Sequence, residues 1–201
     1  VETYGPYQGY AFSGYIMKPT LDPRDMLEGL MRMMQEMGRP FKGCLYFGLM
    51  ITPKGPYVIE YNSRFGDPET QVVLELLESD LVEIMQAVYE GTLTPEMVRF
   101  SSQKAACVII ASGGYPKSYK KGCPIEGLDE KGQREGVGVY HSGTKLEDGT
   151  FYSNGGRVLG VTAKADTLQE ALDKAYHEVD KIHFENCFSR RDIGQRALQA
   201  K

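Results

Sequence analysis

The sequence predicts an α+β protein, with an antiparallel sheet and helices in residues 1–98 and a smaller α+β domain in residues 99–201. Three observations predict it. Residues 44–62 form two strand-like runs around a short loop, Pro53-Lys54-Gly55. Between residues 105 and 165, further strand-like runs are separated by glycine-rich turns. Elsewhere, apolar residues recur at helical spacing behind capping signals.

The opening, VETYGPYQGYAFSGY, shows no clear period and no initiating Met, and it reads as part of a longer chain. Asp22 and Pro23 then announce a helix with Met26, Leu27, Leu30, Met31 and Met34 on one stripe and Gly38 as its stop. Next comes the hairpin, CLYFGLMIT against PYVIEYN. A three-residue loop pairs Thr52 with Pro56, and so Met50 with Val58, Gly48 with Glu60 and Tyr46 with Asn62. By alternation, Val58, Glu60 and Asn62 then share one face. Residues 70–91 predict two helical pieces reset at Ser79-Asp80, with Asp80 and Glu83 as a capping box and Gly91 as the stop. The polar stretch 92–103 is the expected boundary. Beyond it, AACVIIAS, GVGVYHSG, TFYSNG and GRVLGVTAKA are expected strands. Thr167 and Glu170 cap a final helix with Leu168, Ala171, Leu172, Ala175, Val179 and Ile182 on its stripe.

Bulk properties exclude several function classes. Hydrophobic residues make up 41% of the chain and charged ones 25%, the balance of a globular protein. A net charge of -4 gives no field for a phosphate backbone, so nucleic acid is not an expected partner. The lysines between 117 and 121, interleaved with tyrosines, read as a solvated loop. No run approaches the roughly 18 apolar residues of a membrane helix, and no signal-peptide pattern opens the chain, so a cytoplasmic location and no membrane partner are expected. The four cysteines lack C-x-x-C spacing, which argues against a zinc site.

The chemistry concentrates in VIEYNSRFGDPETQ, residues 58–71. Glu60 and Asn62 offer carboxylate and amide oxygens from one strand face, a donor set suited to a hard divalent cation whose remaining positions are filled by phosphates and water. The same pair also suits the solvated face of an edge strand. Arg64 follows at the strand end and can hold anionic groups. Asp67 and Glu69, in the turn after it, can bind an ammonium group or accept a proton from an attacking amine. Charge pairing and a helix cap account for these three equally well.

With FKGCLYFGLMITPKG before it, this block resembles the centre of the phosphoribosylamine-glycine ligase (glycinamide ribonucleotide synthetase) family, whose members are ATP-grasp enzymes. GVGVYHSGTKLEDGTFYSNGGRVLGVTAKADTLQEALDKAY and FSRRDIG resemble that family's C-terminal domain, and the likeness runs from about Ile16 to Ala197. The resemblance implies that residues 1–98 are the C-terminal portion of an ATP-grasp domain. It implies a reaction in which ATP and Mg²⁺ (or Mn²⁺) activate glycine as glycyl phosphate, and 5-phosphoribosylamine attacks it in purine biosynthesis. Glu60 and Asn62 match the family's metal ligands, and Arg64, Asp67 and Glu69 match its acidic turn and the Arg before it. Met50 is the expected floor for adenine. Other ATP-grasp enzymes often place a second acidic ligand where Gly48 stands here, so one carboxylate is expected to hold metal. The family's N-terminal domain and first ATP-grasp half have no counterpart in this sequence. The missing N-terminal half is therefore an expected partner, and a chain inactive by itself is expected. The alternatives are another ATP-grasp ligase or a non-catalytic binding module. His141, Lys145 and Arg157 are expected in exposed structural roles.

Overall fold

The computed structural model describes residues 23–199 except Lys54, with backbone alone at 23–28, 47, 51, 56 and 58. The opening segment 1–15, the Asp22 cap, and the Met26 and Leu27 side chains lie outside the described residues. Of those described, residues up to Asp67 and Ser79–Val98 form one compact unit. Pro68–Glu78 joins the residues from Arg99 onward in a second. The helical stretch 68–78, expected with the first domain, thus packs with the second.

In the first unit, α1 (Pro23–Glu36) ends where Gly38 turns left-handed at φ 68° and Arg39 N donates to Met34 O at 2.9 Å. Its buried Leu30 packs with Met34, Leu45, Leu49 and Tyr61. The last three lie on or beside β1 (Tyr46–Thr52) and β2 (Gly55–Asn62), an antiparallel two-stranded ribbon. One ribbon face is therefore fixed against α1. Asp80 caps α3 (Leu81–Glu90), accepting from Val82 N at 2.7 Å and Glu83 N at 3.3 Å, and Gly91 ends it at φ 76°.

The expected hairpin register is corrected at its loop end. Thr52 pairs with Gly55, not Pro56, and Thr52 Oγ1 donates to Gly55 O at 2.9 Å. Met50 therefore pairs with Tyr57 rather than Val58. A β-bulge between Gly48 and Leu49 then leaves Ile59 without a Cα partner, which restores Gly48 opposite Glu60 and Tyr46 opposite Asn62.

In the second unit, α2 (Glu69–Val73) tightens into a 3₁₀ turn at Leu74–Leu76. Four antiparallel strands follow in the order β4 (Gly138–His141), β7 (Arg157–Ala165), β3 (Lys104–Ser112), β8 (Cys187–Phe188). β5 (Thr144–Glu147) and β6 (Thr150–Ser153) form a separate hairpin. One sheet face carries Val108, Val161 and Ala163, against which α4 (Leu168–Val179) packs Ala175 and Val179. Thr167 and Glu170 close a full capping box at the start of α4. Ile182, expected on the helix stripe, lies past the helix end yet is buried in the same core.

Glu178, 8% exposed, faces this core's edge, where Lys181 Nζ donates to one carboxylate oxygen at 2.6 Å and Arg134 Nε to the other at 2.7 Å. These bonds, led by the one from Lys181, hold its carboxyl below the usual range against the opposing effect of burial. His141 is half-buried rather than exposed, with Nε2 2.9 Å from Gly132 O and Nδ1 3.0 Å from Thr144 Oγ1. A carbonyl only accepts, so Nε2 carries the proton and Nδ1 accepts from the threonine hydroxyl in the neutral ring. Lys145 is exposed and pairs with Glu147, while Arg157 starts β7 opposite Ala111.

Candidate active site

β2 presents the candidate residues because its bulge changes which side chains share a face. Gly48 and Met50 alternate on β1, so they lie on one side, and their partners Glu60 and Tyr57 lie there too. A Cβ built on Gly48 would stand 3.1 Å from Glu60 Cγ and 3.6 Å from Ile59 Cβ, so Ile59 leans over the same side. Met50, Tyr57 and Ile59 are 54%, 53% and 61% exposed there. The result is an open face with three apolar side chains beside a carboxylate. Strict alternation would have sent Tyr57 and Ile59 to the α1 side. Nothing in the hydrophobic pattern signals the bulge; only a glycine in mid-strand hints at it.

Asn62 Nδ2 lies 3.4 Å from Glu60 Oε1, and the contact is exposed. Two ligands at right angles around Mg²⁺, each at about 2.1 Å, stand about 3 Å apart. The two side chains are thus spaced for one cation, whose binding would replace the Nδ2 donation to Glu60 and turn the amide oxygen inward. One carboxylate and one amide leave most of an octahedron to phosphate and water oxygens, the arrangement Mg²⁺ favours.

The remaining candidates are placed separately. Arg64 is exposed and its Nη1 donates to Phe65 O at 2.8 Å, so one donor is used locally. Asp67 is exposed just before the turn at Pro68. Glu69 is the first residue of α2, in the second unit, with Pro68 rather than an acidic side chain at the cap position. Glu69 therefore stands inside the first turn of α2 rather than at its cap.

Comparison with known proteins gives the class. The fold is similar to the biotin carboxylase subunit of pyruvate carboxylase, with a TM-score of 0.52 at 18% identity over 84% of this chain and 38% of that one. At that identity the likeness shows the fold alone, an α+β arrangement. The family follows from closer matches. Residues 15–70 match the family described as phosphoribosylglycinamide synthetase, ATP-grasp (A) domain, and residues 105–196 match phosphoribosylglycinamide synthetase, C domain. The chain belongs to this family. A phosphoribosylamine--glycine ligase from Caldanaerobacter subterraneus subsp. tengcongensis is 45% identical over 89% of this chain and 43% of its own length. The crystal structure of phosphoribosylamine--glycine ligase from Thermotoga maritima matches with a TM-score of 0.74 and 34% identity, over 84% of this chain and 41% of that one. The chain thus spans less than half the length of these relatives.

Proposed function

We propose that this chain carries the metal-binding strand and part of the substrate turn of an ATP- and Mg²⁺-dependent ligase that joins glycine to 5-phosphoribosylamine. The observation that carries the reading is Glu60 and Asn62 standing 3.4 Å apart on an open ribbon face in a chain of this family. In the reaction, phosphoryl transfer from ATP to the glycine carboxylate gives ADP and glycyl phosphate. The amine of 5-phosphoribosylamine then forms the amide bond as phosphate leaves, giving glycinamide ribonucleotide in purine biosynthesis. Glu60 and Asn62 would hold Mg²⁺ (or Mn²⁺), which neutralises phosphate charge when bound. Met50, joined by Tyr57 and Ile59, supplies the apolar surface on which adenine lies. Arg64 holds anionic groups of the reactants, and Asp67 or Glu69 binds the amine or accepts its proton.

The division of residues 1–98 and 99–201 into ATP-grasp portion and C domain belongs to this proposal, as do the cytoplasmic location and the absence of nucleic-acid and membrane partners. Among the described residues, no helix is long and apolar enough to cross a membrane. Residues 1–201 by themselves are expected to fold but not to turn over; glycine-dependent ADP release from them would refute this. The ligand test is calorimetric titration of Mg·ADP into the chain beside a Glu60→Ala twin. Binding by the wild type alone supports a preformed half-site. Equal heats from both proteins would remove Glu60 from the metal role.

A further inference from the structure

The bulge gives Gly48 an unusual neighbourhood. In an unbroken ladder a residue faces one partner, whereas Gly48 faces both Ile59 and Glu60. Its φ is not among the left-handed values, so backbone strain does not require glycine there. Space does. A Cβ would stand 3.1 Å from Glu60 Cγ, 3.6 Å from Ile59 Cβ and 3.7 Å from Glu60 N. The stem of Glu60 lies across the vacancy that a side chain at 48 would fill, and this brings its carboxylate to the Asn62 amide.

We infer that Gly48 is a positioning residue: by lacking a side chain, it lets Glu60 fold across the ribbon and sets the carboxylate beside Asn62. A methyl group crowds Cγ by a few tenths of an ångström, which the exposed glutamate absorbs in part. The γ-methyls of a valine occupy the space itself, and Glu60 must rotate away from Asn62. The effect is therefore graded by size at position 48, while strand propensity rises in the same order. Loss of the ribbon and loss of positioning thus run in opposite directions.

The ligand arm of the test rests on the metal reading above, so the test has a second arm that needs no ligand. Nuclear Overhauser contacts between the Glu60 γ protons and the Asn62 side-chain amide are measured in the wild type, Gly48→Ala and Gly48→Val, with cross-strand contacts between β1 and β2 as the check on folding. The expected result is a contact present in the wild type, weakened in the alanine variant and lost in the valine variant, with cross-strand contacts kept. An unchanged Glu60–Asn62 contact in Gly48→Val overturns the inference. Loss of cross-strand contacts in both variants also overturns it, since Gly48 would then serve the ribbon rather than Glu60. In parallel, Mn²⁺ is titrated into the same proteins, and its affinity is expected to fall in the order Gly, Ala, Val, by about tenfold or more for Val. If none of them takes up Mn²⁺ while the Overhauser series holds, the metal reading fails and the positioning role stands. Equal Mn²⁺ affinity across the series despite a lost contact refutes the link from Gly48 to the ligand site.

Discussion

Arg134 Nε donates to Glu178 Oε2 at 2.7 Å, tying the turn before β4 to the last turn of α4 across 44 residues of chain. Arg134 Nη1 also donates to Gly127 O at 2.8 Å, so one guanidinium joins three segments. Arg134→Ala leaves Glu178 nearly buried with one strong cationic donor fewer, and a loss of about 1–3 kcal/mol is expected in urea unfolding at neutral pH.

The same carboxyl makes stability fall in acid. Its folded value lies below the ordinary 4.5, so its contribution is present above about pH 4.5 and is lost as pH falls through the lower folded value. The stability gap between wild type and Glu178→Gln should narrow on acidification below pH 4.5. A gap that stays constant down to strongly acid pH contradicts the assignment.

At the alkaline end the relevant group is Tyr140. Its hydroxyl donates to Glu75 Oε2 at 3.0 Å, and burial first, then this bond and the carboxylate charge, push its ionisation from 10 up to about 12. The raised value stabilises the fold below pH 10, and the benefit drains away between about pH 10 and 12. Ultraviolet titration of phenolate absorbance should lose one late-ionising tyrosine in Tyr140→Phe. That variant should also be about 1 kcal/mol less stable at neutral pH, because Glu75 loses a donor.

Thr167→Ala tests the start of α4. The threonine hydroxyl accepts from Glu170 N and donates to Glu170 Oε2, and both bonds are lost in alanine, while the backbone N–H of residue 167 can still donate to the Glu170 carboxylate. A cost of about 1 kcal/mol, read as a fall in Tm of several degrees, is expected.

On the ribbon, Tyr57→Ala and Ile59→Ala remove apolar surface that is already exposed. Stability should move by no more than about 0.5 kcal/mol. Where Mg·ADP binds, each should weaken it about fivefold while Mn²⁺ alone binds unchanged, because the carboxylate and amide remain. Equal loss for both ligands would place these side chains in support of Glu60 instead of a base.

Much of this was legible in the sequence where the signal is local. Gly91, Thr167 and Glu170 act within one helical turn and do what their spacing predicts, whereas of the expected Asp80–Glu83 box the structure shows the Asp80 half, its carboxylate accepting from Val82 N and Glu83 N. Pairing at Gly48 and Glu60 came out as expected although the loop was misjudged, because the shorter loop and the bulge offset each other by one residue. The Met50 pairing lies between those two errors and was therefore wrong. β5 escaped notice because Lys145 and Glu147 give it no apolar alternation, and β8 is only two residues long. The Arg134–Glu178 pair has no sequence signature, since nothing local connects residues that only the folded sheet brings together. Segment 68–78 shows the limit for domains: its half-buried apolar side chains do not reveal which sheet they cover.

The two-stranded state of β1 and β2 bears on how the chain opens. Among the described residues, no third strand joins the ribbon, and one of its faces is solvent-exposed, whereas β3 is hydrogen-bonded on both sides and lies under α4. Small ribbons are marginal alone, and structural units with few buried contacts open locally at low cost. Backbone amides of residues 46–62 should therefore exchange with deuterium through local fraying, long before those of Val108 or Val161 report global unfolding. Among the described residues, the strand bearing Glu60 thus lies on a part that any ligand bound there would rigidify.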